Sequence, residues 1–335
     1  MQNVFNASHK LHEVAPIRQS NGYTQRVLAQ LMDTLDVLRS YFQDPEINEI
    51  MINAPNVVFI GKHGKEFKIN VDLNAATIRT AITLIASLVK KEVGEGADRA
   101  ILSARLPGFR IEAIVPPVAV NGPCMCIRRH ASRVFTIGEY VDSGVISPKY
   151  AKLLEKAIAD RQNFLVVGGT GSGKTTMMNT ALSMMPAEDR LFIIETVHEL
   201  QVTSPNHLLI ECDDEQGVTP RQAVKAAMRS APKRVIVGEL RGAEAYDWMD
   251  AANTGHPGSA ATIHANSATR SLGRLENLLL MANMGIPHEV LRNAIAESLQ
   301  WMFYIHREGP KRVVSQVCRL HDFDRVKGEY VLENL

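Results

Sequence analysis

The sequence predicts an α/β protein in two parts: an N-terminal α+β domain, then a larger domain with a mostly parallel sheet. Three observations carry this. Short apolar runs at 164–167, 191–194, 235–237 and 261–263 are separated by helical patterns, the alternation of a parallel sheet covered on both faces. At 335 residues the chain exceeds one typical domain and falls short of three. Between 135 and 147, Gly138, Gly144 and small polar residues read as an interdomain connection.

Residues 1–22 are polar and irregular, as a flexible N-terminus would be. Val27, Leu28, Leu31, Leu35 and Leu38 then recur at helical spacing, so a helix opens the first domain near Thr24. Residues 49–62 read as two strands around a turn at 53–56, where Asn and Pro interrupt β-branched sequence. Ile78, Ile82, Ile85 and Leu88 mark an amphipathic helix, and β-like sequence returns at 109–115 and 123–128. The first domain is thus 23–132 and the linker 133–147. The second, 148–335, opens with Ser147 as an N-cap ahead of Pro148, and Leu153, Leu154 and Ile158 give that helix an apolar face.

Composition narrows the function classes. Lys and Arg number 37 against 36 Asp and Glu, a net charge of +1, so nothing draws the whole chain to a phosphate backbone and direct sequence-specific nucleic-acid binding is not expected. Cys124, Cys126, Cys212 and Cys318 are too scattered for a disulfide framework or a zinc site. The first residues contain no apolar signal core, and nowhere do 18 apolar residues run together. A cytoplasmic protein is expected, with any membrane association peripheral.

The strongest chemical signal is Gly168-Gly169-Thr170-Gly171-Ser172-Gly173-Lys174-Thr175, with Thr176 following. It matches the phosphate-binding pattern G-x-x-x-x-G-K-[ST] and lies after an apolar strand and before a helix. The glycines let successive N–H groups turn inward around phosphates, and the helix points its positive end at the same place. Lys174 should reach the β- and γ-phosphates of ATP, and the Thr175 hydroxyl should ligate Mg²⁺. Hydrolysis further needs a carboxylate at the end of a neighbouring strand to hold metal or water. Glu239 and Glu195 each end an apolar run and qualify as catalytic and metal-side groups. His256 and His264 bracket another strand; an imidazole at its end can donate to a phosphate or accept from a water.

The ordered set of P-loop, Ile194-Glu195-Thr196-Val197-His198-Glu199, Val237-Gly238-Glu239-Leu240-Arg241, and Thr254-Gly255-His256 through Thr262-Ile263-His264-Ala265-Asn266 resembles the type II and type IV secretion ATPases, in particular their conjugal-transfer and type IV secretion branch. Upstream the likeness extends to Glu49-Ile50-Met51-Ile52-Asn53, Arg105 through Arg110, and Ile127-Arg128, covering nearly all of the chain after residue 40. The resemblance implies a sensor-like N-terminal domain, a RecA-like P-loop ATPase domain, and a homohexamer. It places Glu195 and Glu199 in an acidic box, makes Glu239 the Walker B glutamate and puts His264 in a histidine box. Arg110 and Arg128 would be N-terminal-domain arginines meeting the nucleotide phosphates across the interdomain cleft. It also implies inner-membrane components of a secretion or conjugation apparatus as partners. Two departures stand out: Thr196 replaces the aspartate that many members place after Glu195, and the paired C-x-x-C element of many pilus and type II enzymes is missing. Two rival expectations remain, a DNA-translocating motor of the same core and a nucleotide-gated assembly scaffold with slow turnover.

Overall fold

In the computed structural model of the chain, residues 22–335 are described, apart from 95, 97, 98, 130–132, 214–216 and 310. The expected flexible N-terminus lies, but for Gly22, outside the described residues. The chain divides into two compact units between residues 132 and 133.

In the first unit, the leucine periodicity forms helix α1 (Gly22–Thr34), and Leu35 and Leu38 continue its buried stripe through a 3-10 turn into α2 (Arg39–Gln43). Strands β1 (Ile47–Ala54) and β2 (Val57–Lys62) turn at Pro55-Asn56, where Asn56 takes a left-handed φ of 60° that its short polar side chain tolerates. Its Oδ1 accepts from the Leu73 amide at 2.7 Å, tying the turn to the chain ahead of α3 (Ala75–Leu88). Asn74 caps α3, accepting from Thr77 N at 3.0 Å. With β3 (Lys65–Ile69), β4 (Ile101–Leu106), β5 (Phe109–Ile114) and β6 (Cys124–Arg129), the strands form an antiparallel sheet in the order β3-β2-β1-β6-β5-β4. Its buried face carries Ile50, Ile60, Ile111 and Ile127 against Leu31, Ile78, Ile82 and Ile85 of α1 and α3. Strands β3 and β4 are the two edges; β3 is exposed along nearly its whole length, whereas β4 alternates exposed Ile101 and Ser103 with buried Leu102 and Ala104.

The second unit begins earlier than the expected domain. The stretch read as a linker holds α4 (Ile137–Asp142), started by a capping box in which Thr136 and Glu139 satisfy each other's backbone amides. Helix α5 (Pro148–Ala159) follows, with Ser147 accepting from Tyr150 N. The apolar runs become parallel strands β7 (Phe164–Val167), β8 (Leu191–Glu195), β10 (Arg234–Leu240) and β11 (Ala260–Ile263), joined by β9 (His207–Glu211) and β12 (Trp301–Glu308). Two antiparallel strands, β13 (Lys311–Asp324) and β14 (Glu329–Asn334), complete the order β14-β13-β12-β7-β11-β10-β8-β9. Helices α6 (Lys174–Ser183), α7 (Pro220–Met228), α8 (Glu244–Asn253), α9 (Arg270–Met281) and α10 (His288–Ser298) supply the cover. One apolar cluster buries Met177, Met178, Phe303 and Ile305 with α5 and α6; another buries Trp248, Leu275 and Ile295 with α7 to α10.

The amino edge of this sheet is fixed by charge. Arg234 and Asp189 are 0% and 1% exposed, with Nε to Oδ2 at 2.7 Å, and Arg161 bonds the other carboxylate oxygen. Burial pushes the Asp189 carboxyl up, but the two guanidiniums outweigh it and hold the group below its ordinary value. Gly258 makes room for the cluster: with φ 81°, it would place a Cβ 2.4 Å from Arg234 Nη1.

Candidate functional site

The four strands β7, β11, β10 and β8 end together. Register pairs Val167 with Ile263, Leu240 with Ile263, and Val237 with Ile194, so the residues that follow them share one carboxyl edge. That is where open parallel sheets hold ligands. Gly168 starts the P-loop there, its amide donating to Ile263 O at 3.2 Å. It has no room for a side chain: a Cβ would sit 2.3 Å from Ile305 O and 2.5 Å from Ser172 Oγ. Gly171 and Gly173 take φ 68° and 100°, left-handed angles that coil the loop onto α6, of which Gly173 is the N-cap. Lys174 Nζ donates to Gly169 O at 2.9 Å, folding the lysine back over the loop. Buried Ser172 Oγ has no hydrogen-bond partner among the described residues.

Facing the loop, the expected carboxylates take distinct posts. Glu195 is 4% exposed and turned inward. Its Oε1 accepts from the amides of Glu199 and Leu200, both at 3.0 Å, and its Oε2 meets His198 Nδ1 at 3.1 Å. Glu195 thereby folds the segment after β8 into a cap that presents Glu199. Glu199 Oε2 accepts from Thr175 Oγ1 at 3.1 Å, so Glu199 is the carboxylate hydrogen-bonded to the P-loop hydroxyl. Glu195 fits closely against β10: a Cβ on Gly238 would come within 3.0 Å of its Cγ. Glu239 follows at a register shift in the β10–β11 pairing, the kind of irregularity that re-aims a side chain beside a site. It is partly buried and bonds Arg241 Nη2 at 2.7 Å.

The crossover from β8 to β9 is fastened to α6 by Asn179, fully buried among apolar neighbours. Its Oδ1 accepts from Gln201 N at 2.9 Å, and its Nδ2 donates to Glu199 O at 3.4 Å. The sequence reading passed over Asn179; its signal is a lone amide inside the apolar set Met177, Met178, Ala181, Leu182.

His264 emerges exposed straight after β11, next to the P-loop strand. His256 lies at the other end of β11, with Nδ1 2.9 Å from Pro232 O, so it packs the amino edge and does not share the site. Arg110 and Arg128 belong to the first unit. Register sets Arg105 opposite Arg110 and Arg110 opposite Arg128, a row of three arginines on the sheet face away from the apolar core. Arg128 Nε lies 3.4 Å from Glu49 Oε1. Glu49 is also the register partner of Arg128, so the row of like charges ends on a carboxylate.

The residues fit a nucleotide and a hard divalent cation. Gly168 packs too tightly against β12 to carry a side chain, Gly171 and Gly173 coil the loop onto the start of α6, the buried Ser172 hydroxyl has no partner among the described residues, and Thr175 and Glu199 bring two oxygen donors together. Magnesium is held by few protein oxygens and completes its shell from phosphates and water, which suits such a pair.

Comparison with known proteins agrees. The family model described as "Type II/IV secretion system protein" matches residues 33–308. A probable conjugal transfer protein TrbB of Sinorhizobium fredii is 35% identical over 315 residues, covering 92% of this chain and 94% of that one. Type IV secretion system protein VirB11 of Brucella suis is 29% identical over 320 residues, covering 84% and 88%. The fold matches the crystal structure of the Legionella pneumophila ATPase DotB with a TM-score of 0.59 at 18% identity, covering 91% of this chain and 82% of that chain. With the family match spanning most of the chain and a P-loop facing carboxylates at one sheet edge, the protein belongs to the type II/IV secretion system family and is an ATP hydrolase.

Proposed function

We propose that the chain hydrolyses Mg-ATP as one subunit of a ring, a homohexamer by family likeness, that powers conjugal transfer or type IV secretion from the cytoplasmic face of the inner membrane. The observation that carries the reading is the hydrogen bond from Thr175 to Glu199, with Glu239 on the next strand but one at the same edge. In the proposed division of labour, the amides of 168–176 and Lys174 hold the phosphates. Thr175 and Glu199 hold Mg²⁺, which when bound neutralises charge on the phosphoryl oxygens. Glu195 holds the acidic segment in place, and Glu239 orients the attacking water. His264 sits where it can sense the terminal phosphate, and Arg110 and Arg128 bring positive charge to the phosphates from the first unit. Membrane partners fit a peripheral subunit: among the described residues, no helix is long and apolar enough to cross a membrane.

The test is the Mg-dependent ATPase rate per chain across a range of protein concentrations, with and without single-stranded DNA. An assembling secretion motor gives a rate per chain that climbs with concentration and ignores DNA. A flat rate contradicts the ring, and strong stimulation by DNA would make the protein a nucleic-acid translocase.

A further inference from the structure

The carboxylates Glu199, Glu195 and Glu239 all lie on the β8 and β10 side of the P-loop strand. The other side is formed by the β12–β13 hairpin, which the site described above does not use. Across that hairpin, Arg307 and Arg312 are register partners, both exposed. Two like charges placed opposite each other cost stability in an antiparallel pair. Among the described residues neither guanidinium has a carboxylate within ion-pair distance, and Arg307 Nε donates to Gly309 O at 3.0 Å. The stem of Arg312 lies against the loop itself: a Cβ on Gly173 would come within 2.9 Å of Arg312 Cδ and 3.5 Å of its Nε. The last glycine of the P-loop therefore serves two needs, its φ of 100° and the passage of an arginine beside the loop.

The two sides of the loop are chemically unlike. A terminal phosphate and its cation belong beside Thr175 and Glu199. On the P-loop reading, a nucleotide bound that way round directs its inner end toward β12 and β13. We propose that Arg312, with Arg307 behind it, holds that inner end, either by hydrogen bonds to the α-phosphate or by stacking on the purine, both of which a planar guanidinium does well. Arg312 is thus a nucleotide-affinity residue. The inference rests on the P-loop reading.

The test uses the full chain and its variants Arg312→Ala, Arg312→Lys and Lys174→Ala. Dissociation constants are measured for ATP and ADP directly and for inorganic tripolyphosphate by competition. Arg312→Ala should weaken ATP and ADP roughly 10- to 100-fold, the range for a lost charge-assisted contact, with the melting midpoint of the nucleotide-free protein unmoved and part of the affinity restored by Arg312→Lys. Parallel weakening of tripolyphosphate assigns the contact to the α-phosphate; tripolyphosphate binding that does not change assigns it to the nucleoside. Wild-type ATP and ADP affinity in Arg312→Ala, with binding lost in Lys174→Ala, overturns the proposal and leaves the P-loop reading standing. Tight ATP binding by Lys174→Ala overturns the reading beneath it.

Discussion

Two carboxylates four residues apart, Glu195 and Glu199, differ in what their oxygens touch, and that difference divides their work. Glu195 spends Oε1 on two backbone amides, while Glu199 faces the Thr175 hydroxyl. Replacing Glu195 with alanine leaves two largely buried N–H groups without their acceptor, so a stability loss of about 2 kcal/mol or more is expected in denaturant unfolding, together with lost activity. Glu199→Gln keeps the shape and removes the charge. It should fold normally, require more Mg²⁺ for half-maximal rate, and lose roughly 10-fold or more in turnover. Equal, purely structural losses in both variants would contradict the division. The sequence marked Glu195 and Glu239 because each ends an apolar run. It could not tell which acidic side chain turns back to bind the chain, since that depends on the path of residues 196–206. Arg312 was invisible for a similar reason: its neighbour Gly173 is 139 positions away in sequence and meets it only through the β12–β13 pairing.

At the scale of elements, the parallel strands beneath the P-loop were legible because each is apolar on both faces and bounded by helical pattern. Strand β9 was not: its burial pattern is largely exposed, as an edge strand's is, and it follows β8 through a crossover without a helix. Helix α4 hid behind Gly138, a poor helix former, although Thr136 and Glu139 carry its capping signature. The amino-edge cluster was missed because nothing in sequence joins Arg161, Asp189 and Arg234. Its energetics are nonetheless large. Asp189→Ala strands a fully buried guanidinium and should cost about 3–5 kcal/mol in denaturant unfolding. The sign of the pH effect follows from the depressed Asp189 carboxyl: its contribution is fully present above the ordinary aspartate value and is lost as pH falls through the lower, folded-state value. Wild-type stability should therefore fall in acid more steeply than that of Asp189→Ala. Parallel acid profiles for the two proteins would show that the cluster contributes no linkage.

Across the whole molecule, each unit brings a different electrostatic component: the second a P-loop with its carboxylates, the first a row of three arginines that repel one another, with Glu49 beside Arg128. Arg110→Gln should relieve that repulsion, leaving the melting midpoint of the nucleotide-free protein unchanged or slightly higher while lowering kcat/KM for ATP roughly 10-fold or more. A lower midpoint with unchanged kinetics would make the row structural. Only the likeness to the secretion ATPases suggests a nucleotide role for Arg110 and Arg128; read by themselves they are surface arginines. Hydrolysis at a P-loop assisted by a strand-end carboxylate is tested most directly by Glu239→Gln, measured for ATP affinity and single-turnover hydrolysis on the same sample. Affinity within a few-fold of wild type, with hydrolysis slowed roughly 100-fold or more, is the predicted result. Hydrolysis at the wild-type rate would assign the water to another group and remove Glu239 from the chemistry.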